Sequence, residues 1–161
     1  MTTKEYNLCV DKYADGVYRF ILKNIKDEEK AKDIVQDTFV KMWTKISDIE
    51  FEKSRSYLFT AAYHTMIDTI RKDNKTNRIE DAHTQNLKTD NSYNDLKEII
   101  DMAVDELPEI QKNVILLRDY EGYSYEEIGQ ITGLNESQVK VYIYRARLFL
   151  KKYIGELEMV I

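Results

Sequence analysis

The chain has 161 residues, of which 43% are hydrophobic and 33% are charged, and its net charge at neutral pH is −5. This length allows one ordinary domain or two small ones, and the balance of apolar and charged residues excludes a disordered chain. No apolar run approaches the length of a membrane span and the N-terminus lacks a signal-peptide core, so we expect a cytoplasmic protein without direct membrane insertion.

The composition gives little support to metal, disulfide or catalytic chemistry. Cys9 is the only cysteine, and His64 and His83 are the only histidines. These residues lack the spacing of a zinc site, and no paired acids or activated nucleophile stand out. We therefore expect no metal, no cofactor and no enzymatic activity.

Three helices are predicted in the first 75 residues, because one proline and five glycines leave few helix breakers in the whole chain. They span about residues 3–24, 27–46 and 54–72. The second and third have apolar stripes at helical spacing, which predict a small helical core. The stripes are Ala31, Ile34, Val35, Phe39, Met42 and Ile46, then Phe59, Ala62, Met66 and Ile70.

The middle of the chain, residues 76–95, is rich in Asn, Asp and Thr and has little apolar periodicity. Such a composition favours a flexible linker, so we expect one domain at 1–75 and another at 96–161. The sequence leaves open whether the two domains pack against each other.

The second domain is predicted to contain four helices. The first covers about 96–106, and the next begins at Pro108, whose missing N–H costs nothing at the first helical position. Gly122 ends that helix before a final pair of helices begins.

The final pair of helices has clear start and stop signals. Ser124 and Glu127 have the spacing of a capping box, as do Asn135 and Gln138. Gly133 lies in the turn between the two helices, where it adopts φ > 0 without a Cβ penalty. The pattern predicts a helix-turn-helix.

The last helix has an apolar face and a basic face. Val139, Ile143 and Ala146 lie on the apolar side, while cations flank the opposite side. A solvated surface helix is the alternative, but the preceding helix, the turn and the caps favour a helix that enters the DNA major groove. The acidic total charge does not exclude DNA, because affinity depends on local cations near phosphates. Weak DNA binding by the isolated protein is expected.

Two other helix faces leave alternatives open. Trp43, the only tryptophan, is either part of the core or part of a protein-binding face beside acids and glutamine. Tyr57 and His64 lie on the same predicted helix as Arg71 and Lys72. Aromatic residues next to cations suit single-stranded DNA, although such stripes are more often core.

Three segments together resemble the bacterial sigma factors of the extracytoplasmic-function (ECF) group, in the sigma-70 superfamily. They are DIVQDTFVKMW at 33–43, SYLFTAAYHTMIDTIRK at 56–72, and the stretch 107–152 that contains the helix-turn-helix. The resemblance implies an all-α fold of two small helical domains joined by a flexible linker. Residues 1–75 would then bind core polymerase and recognise and melt the −10 element, and residues 96–161 would recognise the −35 element.

The resemblance also implies roles for individual residues. The polymerase-binding set is Asp33, Gln36, Asp37, Val40 and Trp43. The −10 set is Ser54, Arg55, Tyr57, His64, Arg71 and Lys72, beside a loop at 47–55 that would capture a flipped base. The −35 set is Ser137, Lys140, Val141, Tyr144, Arg145, Arg147 and Lys151, in which Arg145 would contact a base and the lysines and Arg147 would contact phosphates.

This sequence departs from the family pattern at several of these positions. The family often has Trp in place of Tyr57, Asn in place of His64, and a small or polar residue in place of Val141. These differences leave the expected fold unchanged and bear on the promoter sequence.

The function expected is that of an ECF sigma factor, which binds core RNA polymerase and directs it to promoter DNA. An anti-sigma factor, in many cases membrane-anchored, is the further partner that the resemblance implies. The alternative is a helix-turn-helix regulator that binds operator DNA without polymerase, typically as a dimer on spaced half-sites.

Overall fold

The computed structural model describes residues 1–79 and 96–160, and all regular structure within these ranges is helical. The helices are α1 (Thr3–Ile25), α2 (Glu28–Thr44), α3 (Ser54–Ile79), α4 (Leu96–Asp105), α5 (Glu109–Ile115), α6 (Tyr125–Thr132) and α7 (Glu136–Val160). Two short 3-10 turns, Ile46–Asp48 and Phe51–Lys53, connect α2 to α3. The predicted all-α fold is confirmed.

The first three helices form one bundle with a shared apolar core. The predicted stripes supply much of it, since Met42, Phe59 and Met66 are almost completely buried. A tight corner sets the antiparallel packing of α1 and α2. There Lys26 adopts a left-handed conformation with φ of 64°, and the Asp27 carboxylate accepts a hydrogen bond from the Lys30 N–H at 3.1 Å.

The third helix extends beyond the predicted end near Lys72, to Ile79. Lys30 Nζ on α2 lies 2.6 Å from Asp73 Oδ2, at the start of these additional turns. The first four residues of the predicted linker at 76–95 therefore belong to α3, and the rest of that linker lies outside the described residues. Sequence periodicity did not reveal this extension because residues 73–79, DNKTNRI, contain a single apolar side chain.

The segment before the helix-turn-helix differs from the prediction in two ways. Pro108 is the N-cap of α5 and lies just outside the helix, whose first residue is Glu109. After Ile115 the chain widens into a π-helical turn at Leu116–Tyr120. In this turn the Glu121 N–H donates to the Leu116 carbonyl at 3.1 Å, five residues back. Gly122 then ends the turn with φ of 77°, as the sequence suggested.

The helix-turn-helix is capped as predicted. The Ser124 hydroxyl accepts from the Glu127 N–H at 3.1 Å and the Glu127 carboxylate accepts from the Ser124 N–H at 2.9 Å. Asn135 and Gln138 form the same reciprocal pair, at 2.8 and 2.9 Å. Gly133 ends α6 with φ of 82°. A Cβ on Gly129 would lie 2.7 Å from the Leu134 carbonyl oxygen, so a glycine is also needed where α6 meets the turn.

Replacing Ser124 with alanine is expected to lower the free energy of unfolding by about 1 kcal/mol, the usual cost of a lost N-cap. Hydrogen bonding to the Ser124 backbone lowers the pKa of Glu127 below its ordinary value of 4.5. The stability that the Glu127 carboxylate contributes through this hydrogen bond is present above its ordinary pKa, and it is lost as the pH falls through its lower pKa in the folded protein. Urea unfolding at pH 7 and in mild acid tests both points, and equal stability of the two proteins at pH 7 would contradict the cap assignment.

Candidate polymerase and nucleic-acid interfaces

The outer face of α7 presents the whole predicted −35 set to solvent. The opposite stripe is buried in the helix packing at Val139, Ile143 and Ala146. The exposed residues are Ser137, Lys140, Val141, Tyr144, Arg145, Arg147 and Lys151. The structure therefore brings these seven side chains together on one open helix face, the arrangement that a major-groove helix requires.

Several cations on this face are oriented by contacts with neighbouring side chains. Arg147 is ion-paired with Asp119 at 2.7 Å, which raises the pKa of Arg147. The Lys140 ammonium lies 5.7 Å from the Tyr125 ring centroid, within the range of a cation–π contact. Arg145 remains exposed on the helix surface and is 6.0 Å from the Tyr142 ring centroid.

The predicted polymerase-binding set lies on one exposed face of α2. Asp33, Gln36 and Asp37 are solvent-exposed. Val40 and Trp43 are 58% and 48% exposed, which is unusual for large apolar side chains. Trp43 packs edge-on against Tyr6 at 5.0 Å between ring centroids, so one side of the indole is fixed while the other faces solvent. Of the two readings of Trp43, the structure favours a surface residue over a core residue.

The predicted −10 set is divided by the structure. Tyr57, His64 and Arg71 follow steps of seven residues, which places them on one side of α3. His64, Arg71 and Lys72 are exposed, and Tyr57 is half-buried.

Two other members of the −10 set are engaged inside the protein. Ser54 is fully buried and its hydroxyl donates to the Phe51 carbonyl at 2.7 Å, so it has no surface to offer to DNA in this conformation. Arg55 donates to the backbone carbonyl of Glu121 at 2.5 Å. Its guanidinium also lies 4.2 Å from the centroid of the Tyr123 ring. The −10 role of Ser54 is implied by the family resemblance, which carries no information about the packing of the preceding 3-10 turn.

The Glu121 contact joins the two halves of the chain. The Arg19 guanidinium of α1 donates to both Glu121 carboxylate oxygens, at 3.1 and 3.0 Å, across 102 residues of sequence. This bidentate hydrogen bonding raises the pKa of Arg19. Glu121 is only 8% exposed, and a buried carboxylate is costly unless it is paired, so Arg19 compensates its burial.

An aromatic contact lies beside this ion pair. Tyr123 is 1% exposed and meets Phe59 of α3 at 5.3 Å between ring centroids. Burial raises the pKa of Tyr123. Lys26–Asp105 at 2.9 Å completes the contact with an ion pair between the end of α1 and α4. The two helical units are therefore packed together in this structure.

The structure shows a cleft next to Tyr57. The cleft has a volume of about 240 Å³ and is lined by Asp48, Ile49, Glu50, Lys53 and Tyr57. It lies within the loop at 47–55 that the resemblance implies for base capture, although of its lining residues only Tyr57 was in the predicted −10 set. Only the position of the loop signalled it in advance.

The described residues contain neither a metal site nor a membrane span. No group of histidine, cysteine or acidic side chains there has the geometry to hold a metal ion. Within residues 1–79 and 96–160, no helix is both long and apolar enough to cross a bilayer.

Comparisons with known proteins match both halves of the chain. Sigma-70 region 2 matches residues 9–76, and Sigma-70, region 4 matches residues 97–150. RNA polymerase sigma factor YlaC of Bacillus subtilis is 31% identical over 150 residues, covering 87% of this chain and 86% of YlaC. ECF RNA polymerase sigma factor SigM of the same organism is 30% identical over 144 residues, covering 86% of this chain and 88% of SigM.

Solved structures share the fold. The sigma factor RpoE of Bartonella quintana, in complex with the anti-sigma factor NepR, superposes with a TM-score of 0.81 at 24% identity, covering 95% of this chain and 98% of RpoE. CnrH, in complex with the cytosolic domain of CnrY, superposes with a TM-score of 0.70 at 20% identity, covering 96% of this chain and 90% of CnrH. With the region 2 and region 4 matches and the curated relatives, the chain belongs to the sigma-70 family of RNA polymerase sigma factors, in the ECF group.

Proposed function

We propose that this sigma factor divides promoter-directed initiation among three surfaces: the outer face of α2 binds polymerase, and the exposed side of α3 with its preceding loop and the outer face of α7 bind promoter DNA. As a member of its family the chain is an initiation factor and not an enzyme; it binds core RNA polymerase and directs it to promoters. One observation supports this assignment of surfaces. Every residue predicted to bind polymerase on α2 or DNA on α7 is exposed, while the apolar stripe on the opposite side of each helix faces the core.

The α2 surface is proposed to bind core polymerase. Trp43 and Val40 supply apolar area, and Asp33 and Asp37 supply negative charge beside it. An aromatic anchor with a charged rim is the arrangement that concentrates binding energy in protein interfaces. A basic, partly apolar surface on the polymerase would complement it.

The α3 surface is proposed to hold the melted −10 strand. The cleft beside Tyr57 would receive one extruded base, and His64, Arg71 and Lys72 would follow the strand along the helix. Binding of extruded bases offsets the cost of unstacking, about a few kcal/mol per base, so no chemical energy is required. Arg55 joins this surface only if its contacts with Glu121 and Tyr123 are released, which requires the two helical units to separate.

The α7 surface is proposed to bind the −35 element as duplex. Replacing Arg145 with alanine is expected to weaken promoter binding by about 1–3 kcal/mol and to relax base choice at one position, because a bidentate Arg–guanine contact is lost. Competition binding of the holoenzyme to promoters with each −35 base substituted measures this. An equal loss on all sequences would instead identify Arg145 as a phosphate contact.

An anti-sigma factor and a cytoplasmic location are proposed as well. RpoE of Bartonella quintana is held by an anti-sigma factor, and its fold is similar to that of this chain. By analogy we infer a protein antagonist for this sigma factor, for which a membrane anchor is a further prediction. The proposed domain division at 1–75, 76–95 and 96–161 places promoter opening in the first domain and −35 recognition in the last.

Mixing the purified chain with core polymerase tests this function. We expect a stable complex that opens promoter DNA, detected by the reactivity of unpaired thymines near the start site, while the isolated chain binds the same DNA weakly. Tight binding of a palindromic operator by the isolated chain, with no complex formed with polymerase, would contradict the proposal.

A further inference from the structure

The outer face of α7 contains an apolar depression within its ring of cations. Val141 and Tyr144 are 44% and 65% exposed, and both lie in a shallow cavity of about 440 Å³. Its other walls are Tyr125, Lys140, Ile143 and Arg147, and its surface is mainly apolar. An exposed apolar patch on an otherwise basic helix indicates a binding partner that has both negative charge and an apolar group.

The surrounding charges identify the class of that partner. Lys140 and Arg147 stand at the edge of the cavity, and the nearby acid, Asp119, is already ion-paired with Arg147 at 2.7 Å. The rim is therefore suited to a polyanion such as duplex DNA. In the major groove the apolar group that a base edge presents is the C5-methyl of thymine, and other base edges present hydrogen-bonding groups.

We propose that Val141, supported by Tyr144, reads a thymine in the −35 element through the C5-methyl group of that base. The proposal rests on the proposed −35 role of α7 and deepens it, because it identifies a chemical group that selects one base. It also explains what the departure from the family pattern at Val141 would do: a polar side chain there would form a hydrogen bond with a base edge, whereas valine makes an apolar contact. Arg145, four residues and about one helical turn beyond Val141, is left to recognise a neighbouring base.

Replacing thymine by deoxyuridine tests the contact directly, since this change removes only the methyl group. The holoenzyme is bound to its mapped promoter, with each −35 thymine on either strand changed to deoxyuridine in turn. At one position, affinity is expected to fall about fourfold, the factor that burial of one methyl group supplies. Val141→Ala is expected to weaken binding to the thymine promoter similarly and to abolish the deoxyuridine effect, so the two changes are not additive.

Two variants serve as controls. Val141→Thr keeps the side-chain shape and replaces a methyl with a hydroxyl, so it is expected to weaken binding to the thymine promoter as well. Leu148→Ala removes apolar surface from another exposed residue of α7, at 49% exposure, and is expected to leave the deoxyuridine effect intact. Because positions 141 and 148 are both exposed, thermal unfolding of the variants is expected to match that of the parent.

Each remaining outcome overturns the proposal. Equal binding of the thymine and deoxyuridine promoters at every position, or a −35 element without thymine, overturns this inference and leaves the proposed function standing. A deoxyuridine effect that persists undiminished in Val141→Ala assigns the methyl contact to another residue and also overturns it. A chain that forms no holoenzyme overturns the proposed function and this inference together.

Discussion

Replacing Tyr123 with alanine is expected to lower the free energy of unfolding by about 3–5 kcal/mol, the usual cost of removing a buried aromatic side chain. Tyr123 is 1% exposed and its ring packs on Phe59 of the other helical unit at 5.3 Å. The substitution also removes the face on which the Arg55 guanidinium rests at 4.2 Å. Urea unfolding followed by circular dichroism measures the loss of stability.

The same substitution is expected to loosen the contact between the two units. The Arg19–Glu121 pair would remain, but its carboxylate would become accessible to water, and such an exposed pair contributes little. Small-angle X-ray scattering is therefore expected to give a larger radius of gyration for the variant. A variant as compact and as stable as the parent would show that Tyr123 does not hold the units together.

Tyr123→Phe is the matched control because it keeps the ring and deletes the hydroxyl. That hydroxyl is buried without a hydrogen-bond partner among the described residues. Since an unpaired buried hydroxyl costs free energy, its removal is expected to leave stability unchanged or to raise it. A loss of more than about 1 kcal/mol would mean that the hydroxyl is bonded, and that part of the alanine effect is polar.

Replacing Trp43 with alanine is expected to weaken binding to core polymerase by at least about 2 kcal/mol, or roughly thirtyfold, as for an interface hot spot. Half of the indole is exposed, and its other side is fixed against Tyr6 at 5.0 Å. A side chain fixed in place before binding loses little entropy when the interface forms. Titration of labelled protein with core polymerase measures the change.

Met102→Ala is the control for this effect. Met102 is a large apolar side chain of similar exposure, 41%, but it lies on α4 in the other helical unit. Its removal is expected to leave polymerase affinity within about twofold of the parent, the effect of a contact outside the hot spot.

Asp37→Lys is expected to weaken binding to core polymerase while leaving the helix-turn-helix folded. Parent-like affinity in both Trp43→Ala and Asp37→Lys would remove this face of α2 from the proposed interface.

Local signals in the sequence were sufficient to predict the helix-turn-helix. The Ser124 and Asn135 caps and the glycine at 133 act over three or four residues, so their spacing alone predicts where α6 begins and ends and where α7 begins. The same holds for the buried and exposed faces of α7, because helical periodicity separates Val139 from Val141 without knowledge of the rest of the fold.

Features that depend on distant partners were not predicted. The buried carboxylate of Glu121 is paired with Arg19 from the other end of the chain, and Lys30 of α2 pairs with Asp73 of α3 across 43 residues. The π-helical turn that presents Glu121 and Tyr123 also has no composition signal of its own. The contact of Arg55 with the Glu121 carbonyl was likewise not predicted, and the role of Arg55 at the −10 element stays a prediction.

The packing of the two helical units suggests an order for the steps of the proposed function. The faces of α2 and α7 are both exposed in the compact arrangement, so the packing of the two units covers neither of them. Use of Arg55 at the −10 element requires the contacts with Glu121 and Tyr123 to break first. Separation of the units would thus accompany promoter opening and would be expected to follow polymerase binding.

The central claim is that this chain selects promoters for core RNA polymerase, and transcription in vitro tests it most directly. Core polymerase is incubated with genomic DNA with and without the chain, and the 5′ ends of the transcripts are sequenced. We predict a set of start sites that appears only with the chain and shares one −35 and one −10 element at a fixed spacing. The same start sites with and without the chain, or new sites without a shared element, would contradict it.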